Sequence, residues 1–244
     1  MSRDWPFPRI IAHRGGGSLA PENTLAAIRL GQSLGYTAHE FDVKLTLDDR
    51  AVLLHDATLD RTTNGKGRAD ASTWRELSQL DAGSWHSPRY AGEPLPTLAA
   101  VARFCLAHRL ALNIEIKPTP GRERETGAAI AIDASVLWKD APLPPVVSSF
   151  SPVTLSAARD AAADLPRAFL VDHYDDATID VARALECIAL DVKHTLLTPE
   201  RVGAIKAAGL HLLGWTVNER ASVDRLRALG VDTIITDAVD VIAP

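Results

Sequence analysis

Short β-branched and aliphatic runs recur along this chain of 244 residues, and each is followed by a segment whose apolar positions repeat with helical spacing. Parallel strands joined by right-handed crossovers require that alternation, because a covering element must return the chain to the same end of the sheet before the next strand begins. The spacing predicts eight strands, over residues 9–13, 38–45 (with 51–55 as a paired extension), 112–116, 146–149, 167–170, 188–192, 210–216 and 233–236. Helical patterns fill the gaps at 23–34, 98–107, 123–138, 152–163, 175–185, 199–208 and 219–229. Ser151-Pro152 and Thr198-Pro199 each place a hydroxyl cap before a first-turn proline, and Gly209 and Gly230 stand just past helix ends. Eight strands separated by helical patterns in this length fit a (β/α)8 TIM barrel, read as one domain over 1–244.

One stretch breaks the rhythm. Residues 57–96 carry glycine turns at Gly65 and Gly67, a short helix-like segment at 72–80, and Pro94 and Pro96 at the close. This reads as an insertion after the second strand. In a barrel, such an insertion lies on the face that holds the active site and walls one side of it.

Charge narrows the partners. The net charge is −5 and no run of Lys or Arg is long enough to track a phosphate backbone, so nucleic acid is not expected. Any anionic substrate must be held by a few placed cations. No apolar run is long enough to span a bilayer, and stable membrane association is not expected either. The amino terminus has an early acid and two prolines where a secretory signal needs an apolar stretch, so the cytoplasm is the expected location. Cys105 and Cys187, the only cysteines, lie in apolar segments and read as buried reduced thiols. Apolar positions on outer helix faces leave homo-oligomerisation open.

The chemistry concentrates at strand ends. Ile10-Ile11-Ala12 gives way to His13-Arg14-Gly15-Gly16-Gly17, which sets an imidazole and a guanidinium fork beside a turn that lets backbone N–H groups approach an anion. On the second strand Glu40 and Asp42 are two residues apart and share one face. Two carboxylates there repel unless a cation sits between them, and oxygen-only ligation favours a hard ion, Mg²⁺ or Ca²⁺. Ordinary salt bridges at the strand end are the plainer alternative.

Glu115 and Lys117 repeat the pattern on the third strand. If adjacent strands align them, Glu115 completes a three-carboxylate metal site, and Lys117 joins Arg14 as a phosphate cation. His55, beside Asp56, supplies a second imidazole. Two imidazoles can act as base and acid on opposite sides of a phosphorus centre. Trp215 falls at the end of the seventh strand as an apolar wall for the organic part of a substrate, with core packing as the alternative. Lys193 is expected to pair with Asp191 across the barrel mouth. The remaining histidines, His39, His86, His108, His173, His194 and His211, are expected in loops or facing away from the site.

Taken in order, His13-Arg14-Gly15, Pro21-Glu22-Asn23-Thr24, Glu40-x-Asp42, His55-Asp56, Arg61-Thr62-Thr63, Glu115-x-Lys117-Pro118 and Trp215-Thr216-Val217-Asn218 resemble the glycerophosphodiester phosphodiesterase family over almost the whole chain. The resemblance is strongest to its small cytosolic bacterial members. It implies a barrel with a small insertion, and hydrolysis of small-molecule glycerophosphodiesters to sn-glycerol 3-phosphate and an alcohol. It implies one divalent ion on the residues matching Glu40, Asp42 and Glu115, acid/base roles for those matching His13 and His55, and phosphate binding by those matching Arg14 and Lys117. In the mechanism it implies, the glycerol 2-hydroxyl attacks phosphorus and water opens the resulting cyclic phosphate.

Overall fold

A computed structural model describes residues 5–244. Eight parallel strands form a closed ring in the order β1 (Ile10–Ala12), β2 (Ala38–Leu45), β4 (Ala111–Ile116), β5 (Val146–Ser149), β6 (Arg167–Val171), β7 (Ala189–Lys193), β8 (His211–Trp215) and β9 (Thr233–Thr236), with β9 pairing back onto β1. A short β3 (Ala51–Leu53) runs antiparallel to β2 and is the paired extension expected from the sequence. The outer layer is α1 (Leu25–Ser33), α3 (Leu98–His108), α4 (Glu123–Leu137), α5 (Pro152–Ala161), α6 (Thr178–Ala184), α7 (Pro199–Ala207) and α8 (Arg220–Leu229). The architecture is a (β/α)8 barrel.

Strand alternation divides the core. Outward residues such as Ile10, Phe41, Val43, Ile114 and Ile116 are buried under the helices. The inward set splits along the axis. At one end Ile11, Ala38, Val146, Ala168, Ala189, Leu213 and Ile235 pack together and Phe7 lies against them. One pleat further along, the same faces carry Glu40, Asn113 and Asp191. An apolar plug therefore supports a polar mouth at the strands' carboxyl ends, the end at which barrel enzymes place their sites.

The helix signals act as the sequence reading requires. Ser151 accepts from the Thr154 amide, and Thr198 accepts from the Arg201 amide, each before a first-turn proline. Gly209 and Gly230 have φ of 76° and 89°, the left-handed values a helix exit needs. Several boundaries differ by a few residues, and some differences have a clear cause. α1 begins at Leu25 behind a Thr24 cap, because Asn23 has a φ of 58° and lies outside the helix. The helical part of the insertion shrinks to α2 (Trp74–Leu77). His108 closes α3 and His211 opens β8, so neither sits in a loop. Cys105 and Cys187 are buried and unbridged.

The insertion has a small apolar core of its own, built from Val52, Leu54, Leu59, Ala69, Leu77, Ala82 and Leu95. It is tied to the barrel through Glu93, whose carboxylate accepts from the Ala26 amide in the first turn of α1. α1 in turn fixes the turn after β1. Gly31 lets the helix approach so closely that an added Cβ would lie 2.4 Å from the Gly15 carbonyl oxygen and 2.7 Å from the His39 ring. His39 is fully buried on the outward face of β2, and its Nδ1 donates to that same carbonyl at 2.7 Å.

Gly31→Ala is expected to lower stability by up to about 2 kcal/mol, because an overpacking cost of roughly 1–3 kcal/mol outweighs the helix propensity gained, about 1 kcal/mol. Urea unfolding followed by circular dichroism checks this. A variant as stable as the parent would show that the helix moves outward freely and does not fix the turn.

Candidate active site

The turn after β1 is built on backbone conformations few residues accept. Arg14 has a φ of 49°, Gly15 of 93° and Gly17 of 57°. At Gly17 a Cβ would stand 2.0 Å from the Asp237 carbonyl oxygen, so glycine is required there by space as well as by φ. The tight path brings the Arg14 amide to Glu40 Oε2 at 2.9 Å and the Gly15 amide to the Glu40 carbonyl at 3.0 Å. The first two strands are thus locked together at the point where both deliver charged side chains.

Register then assembles the carboxylates. β2 and β4 pair so that Asp42 stands beside Glu115, and Glu40 beside Asn113. Glu40, Asp42 and Glu115 are all buried, and each offers an oxygen within 4.8 Å of the others'. Asn23 secures Asp42 from both sides: its amide nitrogen donates to Oδ2 at 2.8 Å, and its carbonyl accepts from the Asp42 backbone N–H at 3.0 Å. The left-handed backbone at Asn23 makes this two-point grip possible.

Burial dominates the electrostatics. Burial, reinforced by the charge on Asp42, pushes Glu40 and Glu115 above the usual carboxylate range. Burial acts on Asp42 in the same sense, but Lys117 and Arg14 outweigh it and hold that carboxyl well below the range. Lys117 Nζ lies 2.5 Å from Glu115 and 3.3 Å from Asp42, and Arg14 Nε lies 3.5 Å from Asp42. Glu40 Oε1 is buried without a hydrogen-bond partner among the described residues. Three all-oxygen donors converging in a buried mouth, one of them with an oxygen left without a hydrogen-bond partner among the described residues, fit a hard divalent cation. The trio could hold such an ion.

Both imidazoles have one nitrogen pinned by a carboxylate. His13 Nδ1 lies 2.6 Å from Asp237 Oδ1, and His55 Nδ1 lies 2.8 Å from Asp56 Oδ1. The two rings differ in charge preference. Burial disfavours the charged form of His13, but Glu40 and Asp237 outweigh it and raise the group to about 9. At His55 burial prevails and the pKa falls below its ordinary value, despite Asp42. Asp56 is gripped in turn by Arg61, which also forks onto Glu22 at 2.7 and 2.8 Å, while Glu22 accepts from Arg14 at 2.7 Å. One chain of ion pairs therefore runs from the β1 turn to the root of the insertion.

These groups surround a cavity of about 160 Å³. His13, Arg14, Glu40, His55, Glu115, Lys117 and Trp215 all line it, and Asp42 lies behind them. Every sequence-predicted site residue is thus brought to one place. Trp215 donates its indole N–H to the Asp191 carbonyl at 3.2 Å and meets Phe150 edge-on, while Lys117 lies 5.4 Å from the Phe150 ring centre. The expected Lys193–Asp191 pair does not form. Lys193 is exposed, whereas Asp191 is buried two residues deeper, accepts from Asn113 at 3.2 Å, and is raised to about 8 by burial and then by Glu40. An ammonium could reach that depth only by losing its water.

Sequence reasoning missed Asp237, Asn23, Asp191 and Phe150 as parts of the site. A usable signal existed for three of them: Asp237, Asp191 and Phe150 continue the inward alternation of Ile235, Ala189 and Ser148. His86, read as a loop histidine, stands in a side lobe next to His13 and Arg14.

Fold and site together define a barrel enzyme whose mouth combines carboxylates, imidazoles and anion-binding cations. The chain belongs to the glycerophosphoryl diester phosphodiesterase family, whose model matches residues 13–241. A glycerophosphodiester phosphodiesterase of Caldanaerobacter subterraneus is 34% identical over 235 residues, covering 93% of each chain. A phosphodiesterase of Oleispira antarctica, solved in complex with the product sn-glycerol-3-phosphate, is 34% identical with a TM-score of 0.90, over 97% of this chain and 95% of its own. A glycerophosphodiester phosphodiesterase from Agrobacterium tumefaciens is 27% identical with a TM-score of 0.81, over 97% of this chain and 99% of its own. Among the described residues no helix is long and apolar enough to cross a membrane.

Asp237→Asn is expected to move the His13 titration midpoint downward from about 9 toward the ordinary 6.5 in metal-free protein, because the pinning charge is lost. Imidazole NMR titration in the presence of chelator reads the midpoint directly. An unchanged midpoint would show that Glu40 alone sets it.

Proposed function

We propose that this protein hydrolyses glycerophosphodiesters to sn-glycerol 3-phosphate and an alcohol, using one divalent ion, Mg²⁺ or Ca²⁺, with His13 and His55 moving the protons. The observation that carries the reading is the convergence of two oppositely biased imidazoles, two cations and three carboxylates on one cavity. The product held by the Oleispira relative is of the matching class. Glu40, Asp42 and Glu115 would hold the ion. When bound, it supplies Lewis-acid stabilisation of the charge that builds on the phosphoryl oxygens.

The protein's own groups account for the rest. Arg14 and Lys117 stand where a phosphodiester anion needs countercharge, Arg14 as a planar fork and Lys117 as a point charge. Asp56 accepts the Nδ1 proton of His55, which leaves Nε2 with a free lone pair on a ring biased to be neutral. That nitrogen takes the proton from the attacking hydroxyl, the glycerol 2-hydroxyl. His13 is biased to be charged, with Nδ1 held by Asp237, so Nε2 carries the proton given to the departing alcohol oxygen. The phosphorus–alcohol bond breaks as the new phosphorus–oxygen bond forms. Reversed roles then let water open the cyclic phosphate and restore both rings. Trp215 and Phe150 shield the carbon skeleton of the glycerol half.

His13→Ala and His55→Ala are each expected to lose about 10²–10⁴-fold in turnover, the usual contribution of a placed acid or base. Chelation should abolish activity, and Mg²⁺ or Ca²⁺ should restore it. A coupled assay for glycerol 3-phosphate release checks all three. Full activity in either variant or in excess chelator would reject the mechanism.

A further inference from the structure

A larger lobe of about 470 Å³ adjoins the catalytic cavity, and His13, Arg14 and Thr216 line both spaces. His55, Lys117 and Trp215 line only the smaller one. The imidazole assigned to the departing alcohol therefore stands at the boundary, while the one assigned to the attacking hydroxyl lies inside. A diester bound with phosphorus between them sends its glycerol half into the small cavity and its alcohol half into the lobe. This orientation rests on the diester-hydrolase reading above.

The lobe is built, and its walls have a definite chemistry. Trp85 and His86 come from the insertion, on a loop shaped by Asp81, whose carboxylate accepts from the amides of Gly83, Ser84 and Gly92. His86 Nε2 reaches the Ser18 carbonyl at 3.1 Å, and the His86 ring packs edge-on against Trp85 and Tyr90. The Trp85 indole N–H is already used by the Ala82 carbonyl at 2.8 Å, yet the residue is 39% exposed, so what it offers a ligand is the ring. Both oxygens of Glu22 are occupied by Arg14 and Arg61, whereas Asp237, held by His13 and with Asn218 as a further side-chain partner, keeps its side chain one-third exposed. An open aromatic ring and a partly exposed negative charge on one lobe recognise a cation that needs no hydrogen-bond acceptor.

We propose that this lobe is the subsite for the alcohol half of the diester, and that Trp85 makes it selective for alcohols carrying a quaternary ammonium group. Three esters of sn-glycerol 3-phosphate separate the contributions: the choline ester, its uncharged 3,3-dimethylbutyl isostere, and the methyl ester, which leaves the lobe empty. In the parent protein kcat/KM for the choline ester should exceed that for the isostere by about tenfold, the size of a partly desolvated cation–aromatic contact. In Trp85→Ala the choline-to-methyl ratio of kcat/KM should fall about tenfold, mainly through KM, and Trp85→Phe should restore most of it. Equal use of the choline ester and its isostere, or equal loss on choline and methyl esters, would overturn the subsite while leaving the diester reading intact. If the parent turns over none of the three, both fall together.

Discussion

Three carboxylates buried at one end of an apolar barrel repel one another, and most of the local structure compensates for that repulsion. Glu40, Asp42 and Glu115 are brought together by strand register and buried inside the barrel mouth. Left alone, such a group would protonate or unfold its surroundings. Here the Arg14 amide, the Asn23 side-chain amide nitrogen and the Lys117 ammonium all point at it. The carboxylates stay close, and a divalent charge has a place to act.

The same compensation explains the unusual backbone. Arg14, Gly15, Gly17 and Asn23 all adopt left-handed conformations within one short stretch, and each either turns the chain back over Glu40 or directs a polar group toward Asp42. Strain of this kind persists only when packing over-determines it. Gly31 and His39 provide that packing, because α1 can press the Gly15 carbonyl into place only where no Cβ intervenes. The Asp237 and Asp56 carboxylates both favour a charged ring; with Glu40 beside it that preference prevails at His13, whereas burial overrides it at His55 and keeps that ring neutral.

Much of this was legible in the sequence because a strand repeats every two residues. Glu40-x-Asp42 and Glu115-x-Lys117 announce a charged face on strands that are otherwise apolar, which points to a barrel mouth or a metal site although ion pairs alone were also open. Asp237 and Asp191 obey the same alternation but were not read as site residues. A single acid after a strand equally suits a turn, and Asp191 was paired with Lys193 because sequence gives separation along a strand and not depth within a barrel. Asn23 was hidden for another reason. Its neighbours read as a helix start, and only the folded turn shows that its backbone leaves the helix to reach Asp42. The insertion was placed correctly on the active-site side, but its composition could not reveal that the Trp85 ring would face a lobe shared with His13.

The central claim is that the buried acidic trio and the two cations bind different parts of one complex, an ion and a phosphate. Anomalous diffraction from crystals soaked with Mn²⁺ and sn-glycerol 3-phosphate tests it directly. The account predicts one strong manganese peak within coordinating distance of Glu40, Asp42 and Glu115, with the phosphate against Arg14 and Lys117. A trio still paired only with Lys117, and manganese or phosphate bound elsewhere, would contradict it.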